Sequence, residues 1–110
     1  RHDKMIKTSG YRVYPREITD QILTHPKVKD AVVFGVPDAK LGNIIICVVE
    51  PKHNDTLISE NELKIYLSNR LPTYMIPSKI LIVSSFPRTQ SGKIKLSDVE
   101  ALYNAKGRIL

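Results

Sequence analysis

Tryptophan is absent from this sequence, phenylalanine occurs twice and cysteine once. A lone cysteine, Cys47, excludes an internal disulfide framework, so the core has to hold by packing. Cys47 lies inside the run Ile44-Ile45-Ile46-Cys47-Val48-Val49. That run offers neither a cation nor exposure, so a buried, inert thiol is expected. No apolar stretch approaches the roughly 18 residues needed to span a membrane. No targeting segment stands at the start as given, and a cytoplasmic protein is the expectation. Like charges nowhere form a block of about five or six, and there are no internal repeats or low-complexity segments.

What is present suits one compact domain over residues 1–110, with 42% hydrophobic and 25% charged residues. The first residue is Arg1 rather than Met, and the expectation is a segment of a longer reading frame. Seventeen basic residues against eleven acidic ones leave a net charge of +6. Such an excess points to anionic partners, although the basic residues are spread along the chain and also suit an ordinary solvated surface.

Ser9-Gly10 is a turn-favouring pair between two short apolar-containing segments, which predicts a hairpin over residues 4–8 and 11–14. Pro15 is well placed to open a helix reaching about His25, with Ile18, Ile22 and Leu23 on one face. Two aliphatic strands are expected over 31–36 and 44–49, separated by Pro37-Asp38 and Gly42. Ser59-x-x-Glu62 reads as a capping box opening a second helix, whose buried stripe is Leu63, Tyr66, Leu67 and Leu71. Pro72 and Pro77 bracket an irregular link. A strand over 79–83, a polar loop over 87–93 and a short helix capped by Ser97-x-x-Glu100 complete the order. The expected fold is α+β: a small, mainly antiparallel sheet with packed helices and an N-terminal hairpin.

Two segments are not accounted for by packing. One is the start, from Arg1 through Gly10, Arg12 and Glu17; the other is Pro87-Arg88-Thr89-Gln90-Ser91-Gly92-Lys93-Ile94. Both set fixed positive charge beside glycine, which permits backbone conformations closed to other residues. A phosphate-cradling P-loop is excluded, because Pro87 stands where its first glycine belongs and Ile94 follows the lysine where Ser or Thr is required.

Taken together the segments resemble signatures of the acyl-adenylating superfamily, which contains acyl-CoA synthetases, peptide-synthetase adenylation domains and luciferases. One signature is carried by Arg1, Asp3, Ile6, Lys7, Gly10, Arg12, Val13, Glu17 and Ile18. A second is carried by Leu71-Pro72-Thr73-Tyr74-Met75-Ile76-Pro77, and a third by Pro87-Arg88-Thr89-x-Ser91-Gly92-Lys93-Ile94. Val36-Pro37-Asp38 followed by Gly42 also fits. Asn43 departs from the glutamate common after that glycine, a change expected to touch a surface or hinge-side contact.

The resemblance implies the small C-terminal domain of a larger ligase, which closes over ATP and a carboxylic acid held by an N-terminal domain. After the acid is adenylated, the small domain rotates and a thiol takes the acyl group. Lys93 then corresponds to the lysine of adenylation and Gly92 to a flexible residue of its loop. Asp3 corresponds to the hinge. Arg1 and Arg12 correspond to nucleotide contacts, and Gly10 to the pantetheine channel. ATP, Mg²⁺ and CoA are the implied cofactors, bound mainly by the N-terminal domain. The implied partners are that domain, a carboxylic acid, and the pantetheine of CoA or of a carrier protein. His2, His25 and His53 are too scattered for a metal site, so none is expected here.

Three rivals are open at this point. A nucleic-acid-binding module fits the charge, but the strand segments Val32-Val33-Phe34, Ile44-Ile45-Ile46 and Ile80-Leu81-Ile82-Val83 lack an aromatic base-stacking platform. A non-catalytic interaction module would have no use for the Lys93 loop. A peptide-synthetase subdomain shares the same motifs, and Ser91-Gly92-Lys93-Ile94-Lys95 leans toward CoA ligases. No nucleic acid and no membrane span are expected.

Overall fold

The computed structural model describes residues 4–53 and 57–107. Two short strands, β1 (Ile6–Thr8) and β2 (Tyr11–Val13), form an antiparallel hairpin and lead into helix α1 (Pro15–Ile22). Long strands β3 (Val28–Asp38) and β4 (Gly42–Pro51) follow, then α2 (Glu60–Ser68), a 3-10 turn over Thr73–Met75, β5 (Lys79–Ile82) and α3 (Leu96–Gly107). The main sheet has the order β3-β4-β5. β3 and β4 are antiparallel, and β5 runs parallel to β4. A parallel neighbour needs a crossover, and α2 supplies it.

The register explains why β3 and β4 are aliphatic without alternation. Ala31, Val33, Ile45, Cys47, Val49 and Ile80 face a core shared with Ile18 and Ile22 of α1 and Leu63 and Leu67 of α2. Val32, Phe34, Ile46 and Val48 face a second core that takes in Val83, Phe86 and Val99 of α3. A strand covered on both faces reads as a continuous apolar run. Helices thus sandwich the sheet.

The strands extend past the aliphatic runs because backbone pairing continues through polar residues, from Asp30↔Glu50 to Asp38↔Gly42. α1 ends at Ile22, short of His25, whose N–H bonds back to the Ile22 carbonyl at 3.0 Å. At the start of α1 the Tyr14 N–H donates to Glu17 Oε1 at 3.0 Å. The expected box at Ser59 is half formed. Ser59 Oγ accepts the Glu62 N–H at 3.0 Å, while the Glu62 carboxylate turns to His25 Nε2 at 3.2 Å and Lys27 Nζ at 3.7 Å. The carboxylate gains more from two cationic or N–H donors than from one solvated amide.

The last helix departs from expectation. Ser97 does not cap it: α3 begins at Leu96, and the Lys95 carbonyl already accepts the Val99 N–H at 3.1 Å. Leu96, Val99, Leu102 and Tyr103 all pack on the second core, so apolar contact draws Leu96 into the helix ahead of the serine.

Candidate functional site

The segment around Lys93 folds as a small hairpin. Arg88 and Ile94 form an antiparallel bridge, and the Thr89 N–H donates to the Lys93 carbonyl at 2.8 Å. Gly92 N–H closes the turn onto the Thr89 carbonyl at 2.9 Å. Gly92 has φ +91° with open space where a Cβ would stand. Its glycine requirement is therefore conformational, as in three-residue hairpin loops that end in the left-handed region. Thr89 Oγ1 accepts the Lys93 N–H at 3.2 Å and bonds Ser91 Oγ at 2.9 Å. The Lys93 side chain is exposed and among the described residues it has no ion pair or hydrogen bond of its own.

This hairpin is fastened to the sheet by a residue that the sequence left without a role. Arg88 Nη2 donates to Glu50 Oε1 at 2.8 Å and to Asp30 Oδ2 at 3.4 Å, while Nη1 donates to the Gly92 carbonyl at 3.2 Å. The bond to Glu50 raises the Arg88 pKa; desolvation opposes this, and the charges of Glu50 and Asp30 add to it. Asp30 and Glu50 stand directly opposite each other in the β3–β4 ladder. The register does this: with Val32 paired to Val48, two residues further outward the two carboxylates face each other.

The Gly10 hairpin is a two-residue turn in which Ser9 has φ 53° and Gly10 φ 83°, the combination that suits a right-handed strand twist. Its position is set from the β3–β4 connection. Ser9 N–H donates to the Leu41 carbonyl at 2.9 Å, and Asn43 Nδ2 donates to the Lys7 carbonyl at 3.0 Å. Asn43 thus has a definite task that a glutamate, lacking a donor, could not perform. Arg12 is exposed and pairs across the hairpin with Lys7. Two cations directly opposite repel, so the hairpin favours an anion beside it.

The segment 71–77 supports the same hairpin. Tyr74, in the 3-10 turn, stacks on Tyr11 with ring centroids 3.9 Å apart and planes 9° apart. A groove of about 400 Å³ lies beside the stacked pair, lined by Thr8, Ser9, Tyr11, Leu41, Thr73 and Tyr74 among others. Gly10, Arg12 and Tyr74 therefore belong to one region. The Lys93 hairpin is anchored elsewhere, at Asp30 and Glu50, where β3 starts and β4 ends. From Asp30 to Asp38, beside the Gly10 anchor, β3 runs about 26 Å.

Arg1 and Asp3 lie outside the described residues, as does His2. Among the described residues no three His, Cys, Asp or Glu side chains gather to hold a metal. The facing carboxylates Asp30 and Glu50 are occupied by Arg88. These residues do not fit Mg²⁺. Cys47 is fully buried, and desolvation pushes its thiol up to about 12, which removes it from the list of nucleophiles. No helix among the described residues is long and apolar enough to cross a membrane.

Comparison with known proteins follows the same lines. The malonate–CoA ligase of Homo sapiens, a mitochondrial protein, is 40% identical over 90 residues, which cover 82% of this chain and 16% of the relative. The oxalate–CoA ligase of Arabidopsis thaliana is 36% identical over 92 residues, 84% of this chain and 18% of the relative. Among solved structures, ATP-bound MatB from Rhodopseudomonas palustris superposes with a TM-score of 0.83 at 29% identity, over 94% of this chain and 20% of that one. A fatty acyl CoA synthetase of Mycobacterium tuberculosis superposes with a TM-score of 0.80 at 35% identity, covering 92% and 20%. The chain thus spans a fifth or less of the length of these proteins. Residues 17–93 match the AMP-binding enzyme C-terminal domain, and the chain belongs to that family.

Proposed function

We propose that this chain is the C-terminal lid of a larger AMP-forming acid–CoA ligase, and that Lys93 serves its adenylation step. The observation that carries the reading is the presentation of Lys93: exposed, unpaired among the described residues, and set on a glycine-closed hairpin tied to the sheet. In adenylation one carboxylate oxygen of the acid bonds to the α-phosphorus of ATP, and the bond from that phosphorus to the β-phosphate bridging oxygen breaks. Acyl-adenylate and pyrophosphate result. Two anions must meet, and negative charge builds on the phosphoryl oxygens. A lysine is a compact, movable point charge suited to sit between them.

In the second step the pantetheine thiol attacks the acyl carbon, AMP leaves with the bonding electron pair, and the thiol proton passes to solvent or a base. The Gly10 hairpin, with Arg12 exposed on it and Tyr74 behind it, is the region we assign to that step. The low profile of glycine at the turn leaves room for a narrow thiol arm, and Arg12 offers charge to phosphate groups of the nucleotide. Asp3 as hinge and Arg1 as a nucleotide contact complete the assignment. ATP and CoA would be held mainly by the larger domain, which would also supply the Mg²⁺ site.

The named relatives act on malonate and on oxalate, and another, from Mycobacterium tuberculosis, on long-chain fatty acids. Acids this different share one lid, so we assign the choice of acid to the large domain. CoA as acceptor is favoured over a carrier protein because these relatives are CoA ligases. A cytoplasmic location is part of the proposal, checked by fractionation.

The test uses the parent ligase, wild type against Lys93→Ala, with a panel of carboxylic acids, ATP and Mg²⁺, trapping acyl-adenylate with hydroxylamine. Loss of one stabilising donor should lower adenylation on the order of 10²–10³-fold, while thioester formation from preformed adenylate continues. Equal turnover by both proteins would remove Lys93 from the mechanism.

A further inference from the structure

Resting on the assignment of Lys93, we infer that Arg88 is the positioning residue of the adenylation lysine: its guanidinium fork joins the Gly92 carbonyl, one peptide before Lys93, to Glu50 and Asp30 of the sheet.

Asp30 and Glu50 face each other in the β3–β4 ladder, where like charges are unfavourable and an apolar or neutral pair would serve the fold better. The Glu50 side chain is 6% exposed, so its charge needs a partner. Arg88 meets that need from outside the sheet, and it divides its donors. One terminal nitrogen binds the carboxylates and the other binds the loop. Because the guanidinium is planar and rigid, fixing one edge fixes the direction of the other, which an ammonium group cannot do.

Apart from this fork the turn is held through Thr89, Ser91 and Gly92, with Ile94 packed on the second core at its base. Residues 90–93 are exposed and have no apolar side chain to pack. Lys93 acts at the end of a long flexible stem, so its reach is set by its backbone. A shift of about 1 Å at a reacting group can cost on the order of 10²-fold in rate. Lys29, with Nζ 3.9 Å from Glu50 Oε2, leaves that carboxylate a second cation, so loss of Arg88 should loosen the loop before it unfolds the sheet.

The experiment compares Arg88→Gln, Arg88→Lys and Lys93→Ala in the parent ligase. It reads adenylate formation, thioester formation from preformed adenylate, and amide hydrogen exchange. Arg88→Gln should lower kcat for adenylation about 10- to 100-fold with KM for ATP and the thioester step unchanged. The Gly92 and Lys93 amides should exchange faster while β3 and β4 keep their protection. Arg88→Lys, which keeps the charge and loses the fork, should behave more like Arg88→Gln than like wild type. Wild-type adenylation by Arg88→Gln, with Lys93→Ala inactive, would overturn the inference and leave the Lys93 assignment standing. Parallel loss of both half-reactions, with loss of protection in β3 and β4, would reduce Arg88 to a structural part. If Lys93→Ala adenylates at the wild-type rate, the Lys93 assignment fails and takes this inference with it.

Discussion

Lys93 and Arg88 are two cations on one small hairpin, and their surroundings divide the labour between them. Lys93 meets solvent, whereas the Arg88 side chain is 30% exposed and spends its donors on Glu50, Asp30 and Gly92. Cys47 is the opposite extreme. With its thiol pushed up to about 12 by burial, the folded protein should resist iodoacetamide at pH 8, and the same thiol should alkylate once urea exposes it. Rapid alkylation of the native protein would show the β4 core to be open. Gly10 is sensitive for a different reason. Nothing lies within 4 Å of a Cβ built there, yet φ is +83°, so Gly10→Ala should lower stability by about 1–2 kcal/mol through backbone strain, measured by urea unfolding. Asn43→Glu exchanges a donor to the Lys7 carbonyl for an acceptor, and should free the β1–β2 hairpin without disturbing the main sheet. Amide exchange at Ser9, whose N–H bonds Leu41, would report it.

Among the elements, β4 is the most constrained. It is buried on both faces and paired on both sides. α2 contributes to one of those faces through Leu63 and Leu67, which are fully buried. Leu67→Ala should destabilise by about 2–5 kcal/mol, as large-to-small core changes do, and denaturant unfolding would measure it. The same helix holds β5 by a polar contact, Ile80 N–H donating to Glu60 Oε2 at 3.0 Å. Burial alone would raise the Glu60 pKa, but the Ile80 bond and Lys64 outweigh it, and the net shift is downward. A lowered carboxylate stabilises the fold above its ordinary value near 4.5 and loses that contribution as pH falls through the lower folded value. The urea midpoints of wild type and Glu60→Gln should therefore differ above about pH 4.5 and converge in stronger acid. The carboxylate is 37% exposed, so the difference is expected to be small.

For the whole molecule, the decisive feature is that the Lys93 and Gly10 hairpins are tied to opposite ends of the β3–β4 ribbon. Under the proposed roles the two hairpins act in different steps, and the corresponding expectation is that Lys93→Ala and a Gly10 variant fail in opposite half-reactions of the parent ligase. Rapid-quench measurement of adenylate and thioester separately would check this; identical failure would mean that both hairpins serve one state. Much of this arrangement was legible beforehand. Ser9-Gly10, the Pro15 helix start, the aliphatic strands and Ser91-Gly92-Lys93 are local signals, written in residues a few positions apart. The Ser97 cap was misread because a propensity of a few tenths of a kcal/mol yields to burial of Leu96, Val99 and Leu102.

By itself the sequence determined the local conformations and the presence of the motifs, because turn geometry, helix starts and apolar runs depend on neighbouring residues. Tertiary structure alone decided three matters: that Asp30 faces Glu50, that Arg88 reaches both while holding Gly92, and that Tyr74 stacks on Tyr11. Each joins segments far apart in the chain: Arg88 lies 38 positions from Glu50 and 58 from Asp30. Strand register and layer packing fix such contacts, and those are settled when the two cores close around β3 and β4.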